Sequence, residues 1–290
     1  MNIKCTVCNS KNQKNEYKFN EYNLLKCTAC GLRYINQDSL KVKPDKLYSA
    51  DYFTEKHIKF FSDYNDILNN KETKKLKNFK KRLKKLKEFG GNGNLLDVGC
   101  GQGTFLYLAK KEEFIPEGCD ISEYSKHFVE EKFHIKVNNT QLEDMPKNKK
   151  FNVITMLDFI EHTTDPNKVL DAANKLLNDG GLILIQTPNG KSLIHNIANI
   201  IYKFSFGIIK NPTKEVFHMY HNYHFTKENM ESLLKSRGFE IIEYEKDNLP
   251  LHTVEGNIIK TGLLGLLYFV SRLVKKQIEM IIIAKKVNNH

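Results

Sequence analysis

Beyond residue 90 the chain alternates between short apolar runs and longer stretches of helical periodicity. The runs Asn94–Val98, Pro116–Asp120, Phe151–Leu157 and Leu182–Gln186 are each closed by turn-forming or acidic residues. Short continuous apolar runs of this kind predict strands buried on both faces. Helical patterns lie between them. Phe105–Lys111 follows the first run, and Asp165-Pro166 opens a helix that ends at Asp179-Gly180-Gly181. Asp at an N-cap and Pro in the first turn both suit a helix start. Thr226 predicts the cap of a further helix over 226–237, and Glu279–Lys285 predicts a last strand. Strand and helix in alternation predict a parallel α/β sheet with its ligand at the carboxyl ends of the strands.

Three helical patterns stand outside that alternation. Lys71–Lys87 is amphipathic, with Leu76, Phe79, Leu83 and Leu86 on one face and lysines around the rest. Leu193–Lys210 and Ile258–Val274 are inserted relative to a minimal sheet and read as apolar-faced helices. Lys260 and Arg272 bracket only 11 residues, too few for a bilayer span, which needs about 20. The insertions, at about 190–224 and 250–275, predict helical lids over an acceptor site. Packing on each other, or contact with a membrane interface, would satisfy the same pattern.

Candidate chemistry begins at the end of the first run. Asp97-Val98-Gly99-Cys100-Gly101-Gln102-Gly103 leads from a strand into a helix N-terminus. Glycines there permit positive φ and let backbone N–H groups approach a nucleotide-like ligand. Asp120 ends the next strand about 20 positions later, where a carboxylate accepts hydrogen bonds from ribose hydroxyls. The spacing is GxGxG rather than GxGxxG, which disfavours a nicotinamide oxidoreductase.

A second signal lies at the N-terminus. Cys5-Thr6-Val7-Cys8 and Cys27-Thr28-Ala29-Cys30 form a CxxC…CxxC pair, with Gly31 after the second. Four thiolates so spaced close a tetrahedral zinc site and leave no position for water, so the ion would be structural. No signal peptide supports an oxidising compartment for disulfides. A redox CxxC would stand singly in a βαβ context. The remaining cysteines, Cys100 and Cys119, read as small core residues.

Composition narrows the picture little further. The 290 residues, 40% hydrophobic, suit one medium catalytic domain with a small appendage. The boundary is expected near residue 42, with a zinc ribbon over 1–42 and the catalytic domain over 43–290. The net charge of +11 is concentrated in Lys71–Lys87. That helix packs on the core through its apolar face, or it docks on RNA or an anionic membrane. RNA docking would use Lys80, Lys81, Arg82, Lys84 and Lys85.

LLDVGCGQG, Asp120, LDFIEH, NDGGLILIQTPNG and HFTKENMESLLKSRGFEIIEYE together resemble class I S-adenosylmethionine-dependent methyltransferases, of the small-molecule and ubiquinone-biosynthesis-like branch. The resemblance spans roughly residues 45–245 and takes in the last strand. It implies a Rossmann-like sheet of seven strands with helices on both faces. It also implies that Asp97, Gly99, Gly101 and Gly103 line the methionine and ribose of the cofactor. Asp120 would hold the ribose hydroxyls, and Ile121 would pack on adenine. Gln141, where the family often has an acid, and Leu142 would contact the adenine edge. Leu157 and Asp158 would lie beside the sulfonium. An oxygen acceptor usually needs a base near neutral pKa, for which His162 stands first, then His221 and His218. Methyltransferases with such a ribbon modify sugars or natural products, so the expected acceptor is a sugar, glycan-precursor or lipid-linked hydroxyl. The expected location is cytoplasmic, at or near the inner membrane face. RNA methylation through the ribbon and the Lys-rich helix is the alternative.

Overall fold

The computed structural model describes residues 4–41, 66, 67, 69, 71–249 and 258–287. The domain boundary expected near residue 42 and the opening residues of the second insertion lie outside them.

The glycine loop and the helix after it join two neighbouring parallel strands. β4 (Asn94–Val98) pairs with β5 (Ile115–Cys119) on one side and β7 (Phe151–Leu157) on the other. With β6 (Val137–Asn138), β8 (Leu177–Pro188), β10 (Phe239–Asp247) and β11 (Glu279–Lys286) they form a seven-stranded sheet. Its order is β10-β11-β8-β7-β4-β5-β6. β11 is antiparallel to both its neighbours, while the pairings from β8 to β6 are parallel. The expected Rossmann-like α/β sheet is therefore present. β8 starts earlier than the sequence pattern predicts, because Leu177 already pairs with Phe151.

Helices cover both faces. α1 (Lys74–Glu88) is capped by the Thr73 hydroxyl, which accepts from Leu76 N. Its Leu83 and Leu86 are fully buried. α2 (Thr104–Lys111) follows the glycine loop, and α3 (Glu123–Phe133) follows β5. α4 (Pro166–Leu176) begins where Asp165 accepts from the N–H groups of Asn167 and Lys168. α5 (Leu193–Phe204) and α6 (Asn211–Val216) form the first insertion. α7 (Lys227–Lys235) starts with a capping box between Thr226 and Asn229. α8 (Ile258–Leu273) belongs to the second insertion.

The Lys-rich helix needs a correction. Arg82, placed with the RNA-facing lysines by its sequence neighbours, is 3% exposed and points inward. Its Nε donates to Gln186 Oε1 at 3.1 Å. Lys81 and Lys85 pair with Glu245 and Glu243 of β10 at 2.6 and 3.0 Å. One turn of the basic stripe thus serves the sheet edge.

The N-terminal ribbon is woven into the rest of the molecule. β1 (Gln13–Lys18), β2 (Asn23–Cys27) and β3 (Arg33–Ile35) pair antiparallel. A fourth strand, β9 (Tyr223–His224), completes their sheet from the end of the first insertion. Cys5, Val7, Leu25, Cys27, Leu32 and Tyr34 share one buried cluster with Val169, Leu233 and Ile185. Tyr17, Phe19, Tyr22, Leu24 and Ile35 enclose Phe217 in another. Tyr22 Oη donates to Phe217 O, and Tyr17 Oη donates to Asn199 Oδ1 at 2.6 Å. The insertion expected as a lid is packed onto the ribbon.

Candidate active site

The glycine loop is shaped by packing at two glycines and left open at the third. Gly99, Gly101 and Gly103 have φ of +70°, +51° and +70°, in the left-handed region that glycine adopts without strain. A Cβ at Gly99 would lie 2.6 Å from the Phe159 ring, and one at Gly103 would lie 2.7 Å from Val129. A Cβ at Gly101 would meet nothing within 4 Å. The backbone there faces open space, which suits the close approach of a ligand.

Two carboxylates frame this opening. Asp97 is buried, accepts from Thr155 Oγ1 at 2.6 Å, and is pushed up to about 7 by burial. Asp120 accepts from Gly101 N at 2.9 Å and from Ser122 N at 2.8 Å. Burial raises it as well, against those two N–H groups. Ile121 beside it is 61% exposed, an apolar side chain with no cover of its own. Gln141 is also exposed and follows β6, whose Asn138 O accepts from Asp120 N. Leu142 differs from its neighbour: its side chain is buried in the main core. Cys100 and Cys119 are buried, as expected of core residues.

The end of β7 gathers the other predicted residues. Leu157 pairs with Gln186 across β8. Asp158 turns sharply at φ +53°, rare for a non-glycine residue, and its carboxylate accepts from Gln186 Nε2 at 3.2 Å. A 3-10 turn, Ile160–His162, follows. Glu161 is 1% exposed and accepts from Thr187 Oγ1 at 2.9 Å. Burial and the Asp158 charge push it up to about 8. Glu279, also buried, is raised well above the usual carboxylate range by burial, Asp158 and Glu161. Three carboxyl groups that cannot all ionise together thus share this corner, with the Arg82 guanidinium behind them. Phe159, Gln186 and Glu279 were given no role in the sequence, and Arg82 was placed only among the RNA-facing cations. Gln186 and Glu279 stood at predicted strand ends, and only that position marked them.

His162 Nδ1 lies 2.7 Å from the Tyr220 carbonyl oxygen. A carbonyl only accepts, so Nδ1 carries a proton, and in the neutral ring Nε2 holds the lone pair. Nε2 lies 3.9 Å from Glu161 Oε1. His221 stacks edge-on at 4.7 Å, and His218 lies 3.8 Å beyond it. The structure therefore joins all three predicted histidines. Burial first, then neighbouring histidines, lower His221 and His224 well below the ordinary imidazole range. Glu161, His162 and His221 offer one ligand atom each within 4.8 Å, so this corner also has the donor set for a small cation.

The ribbon holds the histidine loop in place. Arg33 pairs with His224 and Tyr34 with Tyr223. Gln37 Nε2 donates to Asn222 Oδ1 at 2.8 Å, and Asn222 Nδ2 donates to His162 O and Thr163 O at 2.8 and 3.1 Å. In the ribbon itself, Cys5 and Cys30 sulfurs are 3.6 Å apart, as are those of Cys8 and Cys27. All four lie within 4.8 Å of one another. A tetrahedral zinc with bonds near 2.3 Å sets its sulfurs about 3.8 Å apart, so the donor set fits the ion. Burial raises Cys27, but the N–H groups of Cys30 and Ala29 and the Cys8 thiol outweigh it and bring it down to about 7.

An open glycine turn, a carboxylate at the end of the adjacent strand and an antiparallel strand inserted between the edge strand and its neighbour define a class I methyltransferase fold. The chain belongs to the methyltransferase domain family, which matches residues 68–244. A crystal structure of an S-adenosylmethionine-dependent methyltransferase from Archaeoglobus fulgidus superposes on 73% of this chain and 94% of its own, with TM-score 0.50 and 22% identity. Another, from Clostridium acetobutylicum, covers 80% of this chain and 99% of its own, with TM-score 0.51 and 15% identity. In sequence, the ubiquinone biosynthesis O-methyltransferase of Pasteurella multocida is 31% identical over 111 residues, 33% of this chain. The chain spans about half the length of the curated relatives it matches, 46% in that case.

Proposed function

We propose that the chain transfers a methyl group from S-adenosylmethionine to a hydroxyl of a small molecule, such as a sugar, a glycan precursor or a lipid-linked intermediate. The tautomer of His162 carries this reading: an imidazole with its lone pair at Nε2, at the carboxyl end of the central strand. Similarity to an O-methyltransferase supports oxygen as the acceptor atom.

The residues suit the cofactor. The open face of Gly101, the Asp120 carboxylate and exposed Ile121 would hold its ribose and adenine, and Asp97 its methionine end. When bound, S-adenosylmethionine supplies an electrophilic methyl group, so the protein's task is alignment and proton removal. His162 Nε2 takes the acceptor's proton. Tyr220 O fixes the ring by accepting from Nδ1. His221, held neutral, lines the same space without competing charge.

The four ribbon cysteines would bind zinc in a structural role, which metal analysis of the purified protein tests directly. For the cofactor, the test is calorimetric titration with S-adenosylhomocysteine on a sample of known zinc content. Micromolar binding is expected, and a folded sample that binds none overturns the reading. Transfer of labelled methyl to nucleotide sugars, glycolipids and phenols then sorts the acceptors.

A further inference from the structure

The faces of α5 and α8 that turn away from the sheet leave an apolar surface uncovered. On α5 and the turn after it, Phe204 is 82%, Phe206 95% and Ile208 82% exposed. On α8, which packs against α5, Leu263, Leu266, Phe269 and Leu273 are all more than half exposed and follow one helical stripe. Phe206 has φ +51° ahead of Gly207 at +78°. A bulky residue in that region is uncommon, and here the turn leaves its ring in solvent. Scattered exposed apolar residues are ordinary, but a patch on two neighbouring elements marks a contact.

Charge identifies the contact. From Leu193 to Lys214 the chain has Lys203, Lys210 and Lys214 and no acidic residue. From Ile258 to Ile278 it has Lys260, Arg272, Lys275 and Lys276 and again no acid. Lys214 is taken up by Glu21 at 2.7 Å. Lys203, Lys210, Arg272, Lys275 and Lys276 are exposed around the apolar side chains. A second copy docking by the same face would bring these cations together. An anionic surface would meet all of them. Among the described residues no helix is long and apolar enough to cross a membrane, so any bilayer contact of this face would be interfacial.

We infer that this face docks the protein on an anionic phospholipid membrane, with Phe204, Phe206 and Ile208 inserted at the headgroup boundary and the lysines on the lipid phosphates. Apolar insertion and basic residues are the two components of interfacial binding. The inference is independent of the acceptor.

The test is flotation of the full chain with vesicles of phosphatidylcholine mixed with phosphatidylglycerol, against phosphatidylcholine alone. Binding to the mixed vesicles alone, weakened by salt, is expected. The double variant Phe204→Asp, Phe206→Asp should lose it. Lys203→Gln and Lys210→Gln should each weaken it roughly fivefold, the value of one juxtamembrane cation. S-adenosylhomocysteine affinity, measured on the same samples, should stay constant and reports that the variants are folded. Absence of flotation by the parent overturns the inference, as does flotation that survives the Phe double variant. A concentration-dependent dimer that Phe206→Asp abolishes, without flotation, overturns it in favour of self-association.

Discussion

The glycine loop and the histidine loop hold their residues by opposite means. The first is local. Gly99 to Asp120 are joined by one helix and one return strand, and Asp120 closes the unit by accepting from Gly101 N. The second is assembled from distant pieces. His162 stands after β7, its ring is held by Tyr220, and its backbone is held by Asn222, which is itself bonded to Gln37 of the ribbon. Cofactor binding should therefore tolerate damage to the ribbon, whereas proton removal should not.

Variants can break that contrast. His162→Ala should lower kcat by about 100-fold to 10,000-fold, the usual range for a lost general base, with S-adenosylhomocysteine affinity unchanged in calorimetry. An equal loss of affinity would mean that the two loops are one unit. Asp120→Ala should weaken S-adenosylhomocysteine binding roughly 100-fold through the loss of charge-assisted hydrogen bonds, with the zinc content of the sample unchanged from that of the parent. Cys27→Ser should release zinc and lower kcat about tenfold or more, since partners that only orient a catalytic group are commonly worth 10- to 100-fold. Its cofactor affinity should stay within a factor of about two, well under the 1.4 kcal/mol of a tenfold change. Asn222→Ala should do the same on a smaller scale, about threefold to tenfold, as expected of one net hydrogen bond. Zinc content should not change.

The smallest effect lies in pH. Burial, then the Arg33 charge, lowers His195 to about 3. Between that value and the ordinary 6.5 the unfolded chain binds a proton that the folded one refuses. Stability therefore falls as pH drops below 6.5, by up to about 1.4 kcal/mol per unit for this residue. His195→Gln should flatten the decline in Tm between pH 6.5 and 5 by a few degrees. A parallel decline would place the pH sensitivity elsewhere in the histidine cluster.

The same contrast explains what could be read in the sequence. The sheet was legible because buried parallel strands appear as continuous apolar runs, and the glycine turn gained its meaning from the runs before and after it. Capping made Asp165 and Thr226 readable at single-residue resolution. The three histidines were legible as candidates because imidazole is the usual neutral base, but their convergence was not. β9 is two residues long and carries no period, so nothing local announces its pairing with Arg33 and Tyr34. Arg82 was misplaced because a lysine-rich stripe hides the one cation that turns inward. Leu142 is expected to contact the cofactor beside Gln141, and the structure adds only that its side chain lies in the core. Glu279 carried no signal beyond opening a strand.

The pairing of Tyr34 with Tyr223 has a consequence for biosynthesis. The ribbon's cysteines are made well before β9, and a zinc ion there would assemble the ribbon ahead of it. The strand that covers the edge of β3 follows some 190 residues later, about 10 to 40 seconds at ordinary elongation rates. Through that interval Arg33–Ile35 offers unpaired backbone groups to any other nascent strand. A three-residue edge that opens on an arginine is a poor template for a wrong partner.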